Sequence, residues 1–176
     1  NREPQAALDW LASLPQGAAR RTLALRLRLK AARRARRTQS ALETARLLNK
    51  HRAFSPEAGA SIVRGLALEL INDAHDPAQL QQAWQMLDAA ERAMPDLVVH
   101  AAQRLILLDG DAATARQWLL PIWQQMAEHP SALSDQQASR LVRALEAALD
   151  GADSSWLARM EAAAQAHPRD TRLQYL

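Results

Sequence analysis

Ala83-Trp-Gln-Met-Leu-Asp-Ala-Ala-Glu-Arg-Ala-Met-Pro95 is the stretch that decides the fold. Ala83, Leu87 and Ala90 follow one another at intervals of four and three, and Pro95 comes five residues later. The same intervals join Trp156, Met160, Ala163 and Pro168. Steps of four and three each carry a helix about once round, so the first three positions share a face. The proline then stops one helix and opens the next segment.

Small, large, small and Pro at this spacing mark the second helix of a tetratricopeptide (TPR) hairpin. Repeats of this kind build binding surfaces rather than catalytic pockets. Working outward, the periodicity predicts helices over 4–14, 17–37, 38–50 (starting at Thr38 or Ser40), 55–74, 76–93, 95–108, 112–128, 134–149 and 154–167, with a last one starting at Arg169. Ser55-Pro56 and Asp76-Pro77 are start signals, a capping side chain followed by Pro at the first helical position. Asp111 is a further expected N-cap, and Pro121 is expected to kink or shorten its helix. Leu23 to Leu29 alternates as a strand would, but the Lys, Ala and Arg that follow argue for helix. That helix then carries two apolar stripes, Leu23/Leu27 and Leu25/Leu29.

Paired, these helices give hairpins over 17–50, 55–93, 95–128 and 133–167, with partial units at 1–15 and 169–176, in a single domain. Ala41, Ala45 and Leu48 form the second-helix face of the first hairpin, and Ala115, Leu119 and Ile122 that of the third. Gly110 stands at the turn position of the third. The units recur at about 32 to 42 residues against 34 for the TPR. The expectation is an all-α, right-handed α-solenoid of TPR-like hairpins, about ten helices with irregular repeat length; a general α-solenoid is the fallback.

Composition agrees. Aromatic residues are only 4% of 176, with one Tyr, one Phe and five Gly, whereas sheet proteins are rich in aromatic and β-branched residues. Cysteine is absent, which excludes disulfides, thiolate metal sites and a Cys nucleophile. No apolar run approaches the ~18 residues of a membrane span, and no signal-peptide pattern opens the chain. The chain stops mid-pattern at Tyr175-Leu176 and reads as a piece of a longer protein.

Charge is the second strong signal. The net charge is +3, but nine basic residues and no acid lie between Arg20 and Arg37; the remainder has 13 basic and 19 acidic residues. Arg26, Lys30, Arg33 and Arg37 recur at four, three and four and form one stripe. First helices of TPR hairpins line the concave groove, and counting back from Ala41 puts Arg26, Lys30 and Arg33 on groove-facing positions. The same count puts Asn72 and His75, then His100 and Arg104, on the groove side of the next two units. Such a lining attracts carboxylates or phosphates, which Arg grips with two hydrogen bonds. The competing reading is a solvated face that keeps the chain soluble.

The other polar residues read as structural. His51, His75, His100, His129 and His167 form no pair at metal-ligand spacing, so no metal site is expected. A haem iron needs a single axial His, which His75 or His100 would supply, but a histidine near a helix end is more often exposed or capping. Trp10, Trp84, Trp118, Trp123 and Trp156 read as packing residues, with Trp84 and Trp123 the candidates for a surface role. Asp73/Asp76 and Asp109/Asp111 cluster at helix ends, where Asp caps the next helix. No glycine-rich phosphate loop and no serine with a base partner is present, so no catalytic residue is expected.

Four phrases carry a family resemblance: Ala19-Arg-Arg-Thr-Leu-Ala-Leu-Arg-Leu-Arg-Leu-Lys-Ala-Ala-Arg33, Leu47-Leu-Asn-Lys-His-Arg-Ala-Phe-Ser-Pro56, Gln79-Leu-Gln-Gln-Ala-Trp84 and His167-Pro-Arg-Asp170. Together they resemble the TPR region of the HemY family, bacterial inner-membrane proteins associated with haem and porphyrin biosynthesis. The resemblance covers most of the chain and rests on phrase and order, not on a catalytic motif. It implies a membrane anchor outside this stretch and a TPR domain on the cytoplasmic side. It also implies an accessory role in protohaem IX synthesis, holding pathway enzymes or passing tetrapyrrole between them, and it brings no ligand residues with it. The flavin-dependent protoporphyrinogen oxidase that has shared the name is a different protein, and no dinucleotide-binding glycine motif occurs here.

The function expected from the sequence is therefore a non-enzymatic scaffold. It would bind pathway proteins or the propionates of a tetrapyrrole through a partly basic groove and hold no obligatory cofactor. The alternative is a helical protein that binds nucleic acid or anionic lipid through Arg20–Arg37. Nucleic acid ranks lower because no aromatic residue interleaves those cations for stacking on bases.

Overall fold

Good helix formers fill each segment between the punctuating Pro, Ser, Asp and Gly residues, and helix is what they form. The computed structural model describes residues 17–149, 151–152 and 154–166. Eight α-helices follow one another there: α1 Ala18–Arg34, α2 Thr38–Lys50, α3 Pro56–Asn72, α4 Pro77–Met86, α5 Pro95–Leu107, α6 Ala112–Glu128, α7 Asp135–Ala147 and α8 Ser154–Ala166. Single 3₁₀ turns occupy Glu91–Ala93 and Pro130–Ala132. No strand occurs among the described residues, and the alternating Leu23–Leu29 stretch lies inside α1. The helices expected at 4–14 and from Arg169 lie outside the described residues, as do Trp10, His167 and Pro168.

The starts are capped as expected. Asp76 Oδ1 accepts from the Gln79 amide at 2.8 Å, and the Asp111 carboxylate accepts from the Thr114 amide at 2.8 Å and the Thr114 hydroxyl at 2.7 Å. Those bonds, the hydroxyl's first, hold the Asp111 carboxyl below its ordinary pKa. Ser134 and Gln137 exchange side-chain and backbone bonds in a full capping box at α7.

Three ends share one geometry. Arg36, Arg52 and Asp109 adopt left-handed φ of 54°, 53° and 58°. The amide after each reaches back to a carbonyl of the last turn: Arg37 to Ala32, Ala53 to Leu48, Gly110 to Leu105. This is the Schellman closure, carried here by residues that tolerate the left-handed region less well than glycine. Gly110 is needed for the approach itself, since a Cβ there would lie 2.4 Å from Leu105 Cδ1.

The chain divides into two compact units, Asn1–Leu70 and Ile71–Leu176, with the division in the last turn of α3. In the first, α1 and α2 are joined by three residues and pack as a hairpin. Leu29 and Ala32 of α1, and Ala41, Leu42, Ala45 and Leu48 of α2, are buried. Gly59 on α3 is buried, and a Cβ there would stand 1.9 Å from Asn49 Oδ1 of α2. In the second unit α5 packs on both α6 and α7, and α6 also packs on α7. Leu97, Ala101 and Leu105 of α5, Ala115, Leu119 and Ile122 of α6, and Leu141 and Leu145 of α7 are buried there. The expected second-helix faces at 41/45/48 and 115/119/122 are thus core. Pro121 is exposed and does not end α6, which runs on to Glu128.

One expectation is corrected at the very stretch that pointed to the fold. The helix expected over 76–93 stops at Met86, Leu87 turns extended with ψ of 139°, and Ala90 is exposed outside any helix. Asp88-Ala-Ala-Glu91 explains the break, because it is a capping box competing with helix continuation. Asp88 Oδ1 accepts from the Glu91 amide at 2.9 Å, and Glu91 Oε2 accepts from the Asp88 amide at 3.0 Å. Glu91 is buried by this exchange. In the other copy of the spacing Met160 is buried and Trp156 half-buried, both on α8. The basic helix is also shorter than expected, ending at Arg34, with Arg36 and Arg37 in the closing turn.

Candidate functional site

The seven expected groove residues divide between the units: Arg26, Lys30 and Arg33 in the first, Asn72, His75, His100 and Arg104 in the second.

In the first unit α1 presents its cations to solvent. Arg21, Arg26, Arg28, Lys30, Arg33 and Arg34 are exposed on it, and Arg36 and Arg37 are exposed just beyond; Arg20 is half-buried. The apolar edge, Leu29 and Ala32, is turned inward. Within the expected triad the three side chains behave differently. The Arg26 Nη2 donates to the Ala53 carbonyl at 2.8 Å, and its guanidinium carbon stands 5.8 Å from the Phe54 ring centroid. Arg33 Nη2 lies 3.9 Å from Glu69 Oε1 with both side chains more than half exposed, 56% and 53%. An ion pair so long and so wet adds little to stability. Lys30 meets no partner among the described residues.

In the second unit Asn72, His100 and Arg104 do converge, at the end of α3. His100 Nε2 and Asn72 Oδ1 are 2.7 Å apart, so the ring nitrogen donates to the amide oxygen. Arg104 Nε donates to the Ile71 carbonyl at 3.1 Å, and Nη2 to the carbonyls of Asn72 at 2.8 Å and Ala74 at 2.6 Å. Burial, and then the neighbouring Arg104 charge, hold His100 below its ordinary pKa. His75 is exposed; its amide donates to Gln79 Oε1 at 3.1 Å, which is a turn contact rather than a site contact. Arg104 is therefore committed to closing a helix, and His75 is the more accessible of the two histidines.

What the sequence left hidden is how widely arginines serve this way. Helices α3, α4 and α7 carry no basic residue in their own last turn. Each receives one from elsewhere. Arg104 serves α3, Arg92 donates to the Trp84 and Gln85 carbonyls of α4, and the buried Arg116 donates to the Ala148 and Gly151 carbonyls after α7. A guanidinium there satisfies orphan carbonyls and opposes the negative end of the helix dipole. Separations of about thirty residues, as between Arg104 and Ala74, give sequence periodicity no purchase.

The candidate surface tryptophans also resolve into packing. Trp84 and Trp118 stack with centroids 4.3 Å apart and planes 14° from parallel, tying α4 to α6. The Arg92 guanidinium stands 5.8 Å from the Trp84 ring, and Trp123 is buried. His51 and His129 occupy the C-cap positions of α2 and α6.

Among the described residues no group of three His, Asp or Glu side chains is placed to hold a metal ion, and no helix is long and apolar enough to cross a membrane. The chain matches no family model, no curated protein and no solved structure.

Proposed function

We propose that this chain is a non-enzymatic scaffold of stacked TPR-like hairpins, an α-solenoid of irregular repeat length, that holds protein partners against the basic face of α1. The observation that carries this reading is the solvent exposure of cations along α1 with no acid among Arg20–Arg37. A helix that exposes so much like charge is destabilised by its own repulsion, which makes sense for a surface that meets a polyanion. The way α5 packs on both of its successors, and α6 on α7, supports the stacked-hairpin part, because each hairpin in such an array buries its faces on the next.

The HemY resemblance sets the biological assignment within this reading: an accessory protein of haem and porphyrin biosynthesis, tethered to the bacterial inner membrane by an anchor outside this stretch, with the helical domain on the cytoplasmic side. Its partners are then haem-pathway enzymes, and the tetrapyrrole propionates are a second anionic ligand for the same cations. The test is retention of haem-pathway enzymes from the producing cell on the anchored full-length protein. The expected result is retention that falls when Arg28, Lys30 and Arg34 are each replaced by Gln, with unchanged far-ultraviolet circular dichroism. Equal retention by wild type and variant overturns the basic-face reading. A haem titration with His75→Ala and His100→Ala tests tetrapyrrole binding. Loss of the Soret shift in the His75 variant alone is expected, since His100 Nε2 is already held by Asn72.

A further inference from the structure

The cations of α1 do not share one fate, and their differences select a surface. At about 100° per residue, Arg26 and Arg33 lie about 20° apart on the helix wheel. They form the edge turned toward Ala53, Phe54 and Glu69, and both reach a group of the protein itself. Lys30 and Arg34 lie about 40° apart and some 70° further round. Both are exposed, and neither meets a partner among the described residues; the same holds for Arg21 and Arg28, which lie about 150° away across the helix. In the closing turn that follows Arg34 in the chain, Arg36 and Arg37 are also exposed. The first turn of α2, which follows, has no acidic residue; Glu43, further along α2, lines a shallow cleft with Arg37 and accepts from the Gln39 side chain.

The chemistry of this edge selects among polyanions. No aromatic residue lies between Arg20 and Arg37, and the neighbouring Phe54 is faced by Arg26, so the Lys30/Arg34 edge itself carries no aromatic platform for bases. Leu29 and Ala32 are buried, so the most apolar edge of α1 cannot enter a bilayer. Cations four residues apart on a helix are separated by about 5–6 Å at Cβ. Carboxylates one turn apart on a facing helix have the same separation, and those two apart on an extended strand are close to it.

We infer that the docking surface of α1 is the ridge formed by Lys30 and Arg34 and continued by Arg36 and Arg37, and that it takes an acidic segment of a protein partner. Arg26 and Arg33 serve the fold instead. This rests on the scaffold reading above and departs from the groove triad expected from sequence.

The test uses fluorescence anisotropy with labelled polyglutamate as probe, at low salt. In parallel it uses phosphatidylcholine vesicles with and without phosphatidylglycerol, and labelled oligothymidylate. Wild type is expected to bind polyglutamate in a salt-sensitive way. K30Q/R34Q should weaken binding about tenfold, the scale of ~1.4 kcal/mol. R26Q/R33Q should stay within about twofold but melt at lower temperature, because the Arg26 bond to Ala53 is lost. Arg33→Gln alone repeats the comparison with a variant whose ion pair contributes little to folding. If the Arg26/Arg33 or Arg33 variants lose as much affinity as K30Q/R34Q, the ridge assignment fails while the scaffold reading stands. If wild type does not bind polyglutamate, both fail. Tighter binding to the anionic vesicles or to oligothymidylate overturns the protein partner.

Discussion

His100 shows how a residue can be well placed in the sequence and still do a different job. The spacing put it with Arg104, one unit after Asn72 and His75, and in the structure His100 and Arg104 both meet the end of α3. Burial, and then the Arg104 charge, hold its pKa below the ordinary histidine value. The unfolded chain, with an ordinary histidine pKa of about 6.5, therefore binds the proton first on acidification. Stability contributed by this site is present above about pH 6.5 and is lost as pH falls toward the lowered folded-state value. The expected outcome is that wild type loses more melting temperature than His100→Gln between pH 7.5 and pH 5.5. Equal losses would show that the site does not couple to folding. That Asn72, His100 and Arg104 share one side was expected from the spacing, but that Asn72 and His100 would meet was not, because they stand 28 residues apart, off the expected repeat length. The role of Arg104 was not legible either, because a guanidinium reaching three backbone carbonyls leaves no periodic trace.

At the scale of the element, competition between local signals decides where helices stop. Asp76-Pro77, Asp111 and Ser134 were readable as starts because an N-cap needs only its own next turn. The break after Met86 was equally local, yet the strong spacing of Ala83, Leu87 and Ala90 masked the Asp88/Glu91 box inside it. Two reciprocal bonds and the Arg92 bonds to Trp84 and Gln85 outweigh one more helical turn. Asp88→Ala is expected to cost about 1–2 kcal/mol, the scale of a lost N-cap, measured by urea unfolding. An unchanged midpoint would mean that the box does not determine the break. The three left-handed closures at Arg36, Arg52 and Asp109 were hidden for a related reason: only glycine advertises that conformation, and here it is imposed by the backbone bonds of the Schellman turn.

For the whole molecule, charge is segregated rather than balanced. A net charge of +3 conceals an acid-free stretch of nine cations and an acidic remainder. Lys30 and Arg34 are like charges one turn apart on an exposed helix, a pair that costs about 0.2–0.5 kcal/mol. K30Q/R34Q should therefore melt slightly higher than wild type at low salt, with the difference shrinking as salt screens the repulsion. A variant that melts lower at low salt would show that these cations support the fold. By itself the sequence determined that the chain is helical, where most helices begin, that the 41/45/48 and 115/119/122 faces enter the core, and that one helix is strongly basic. These follow from propensity, periodicity and charge, which act over a turn or two. Only the tertiary structure decided which cations remain available. Arg26, Arg104 and Arg116 look like any other arginines until helix ends some thirty residues away bring unsatisfied carbonyls within reach of them, and leave Lys30 and Arg34 to the solvent.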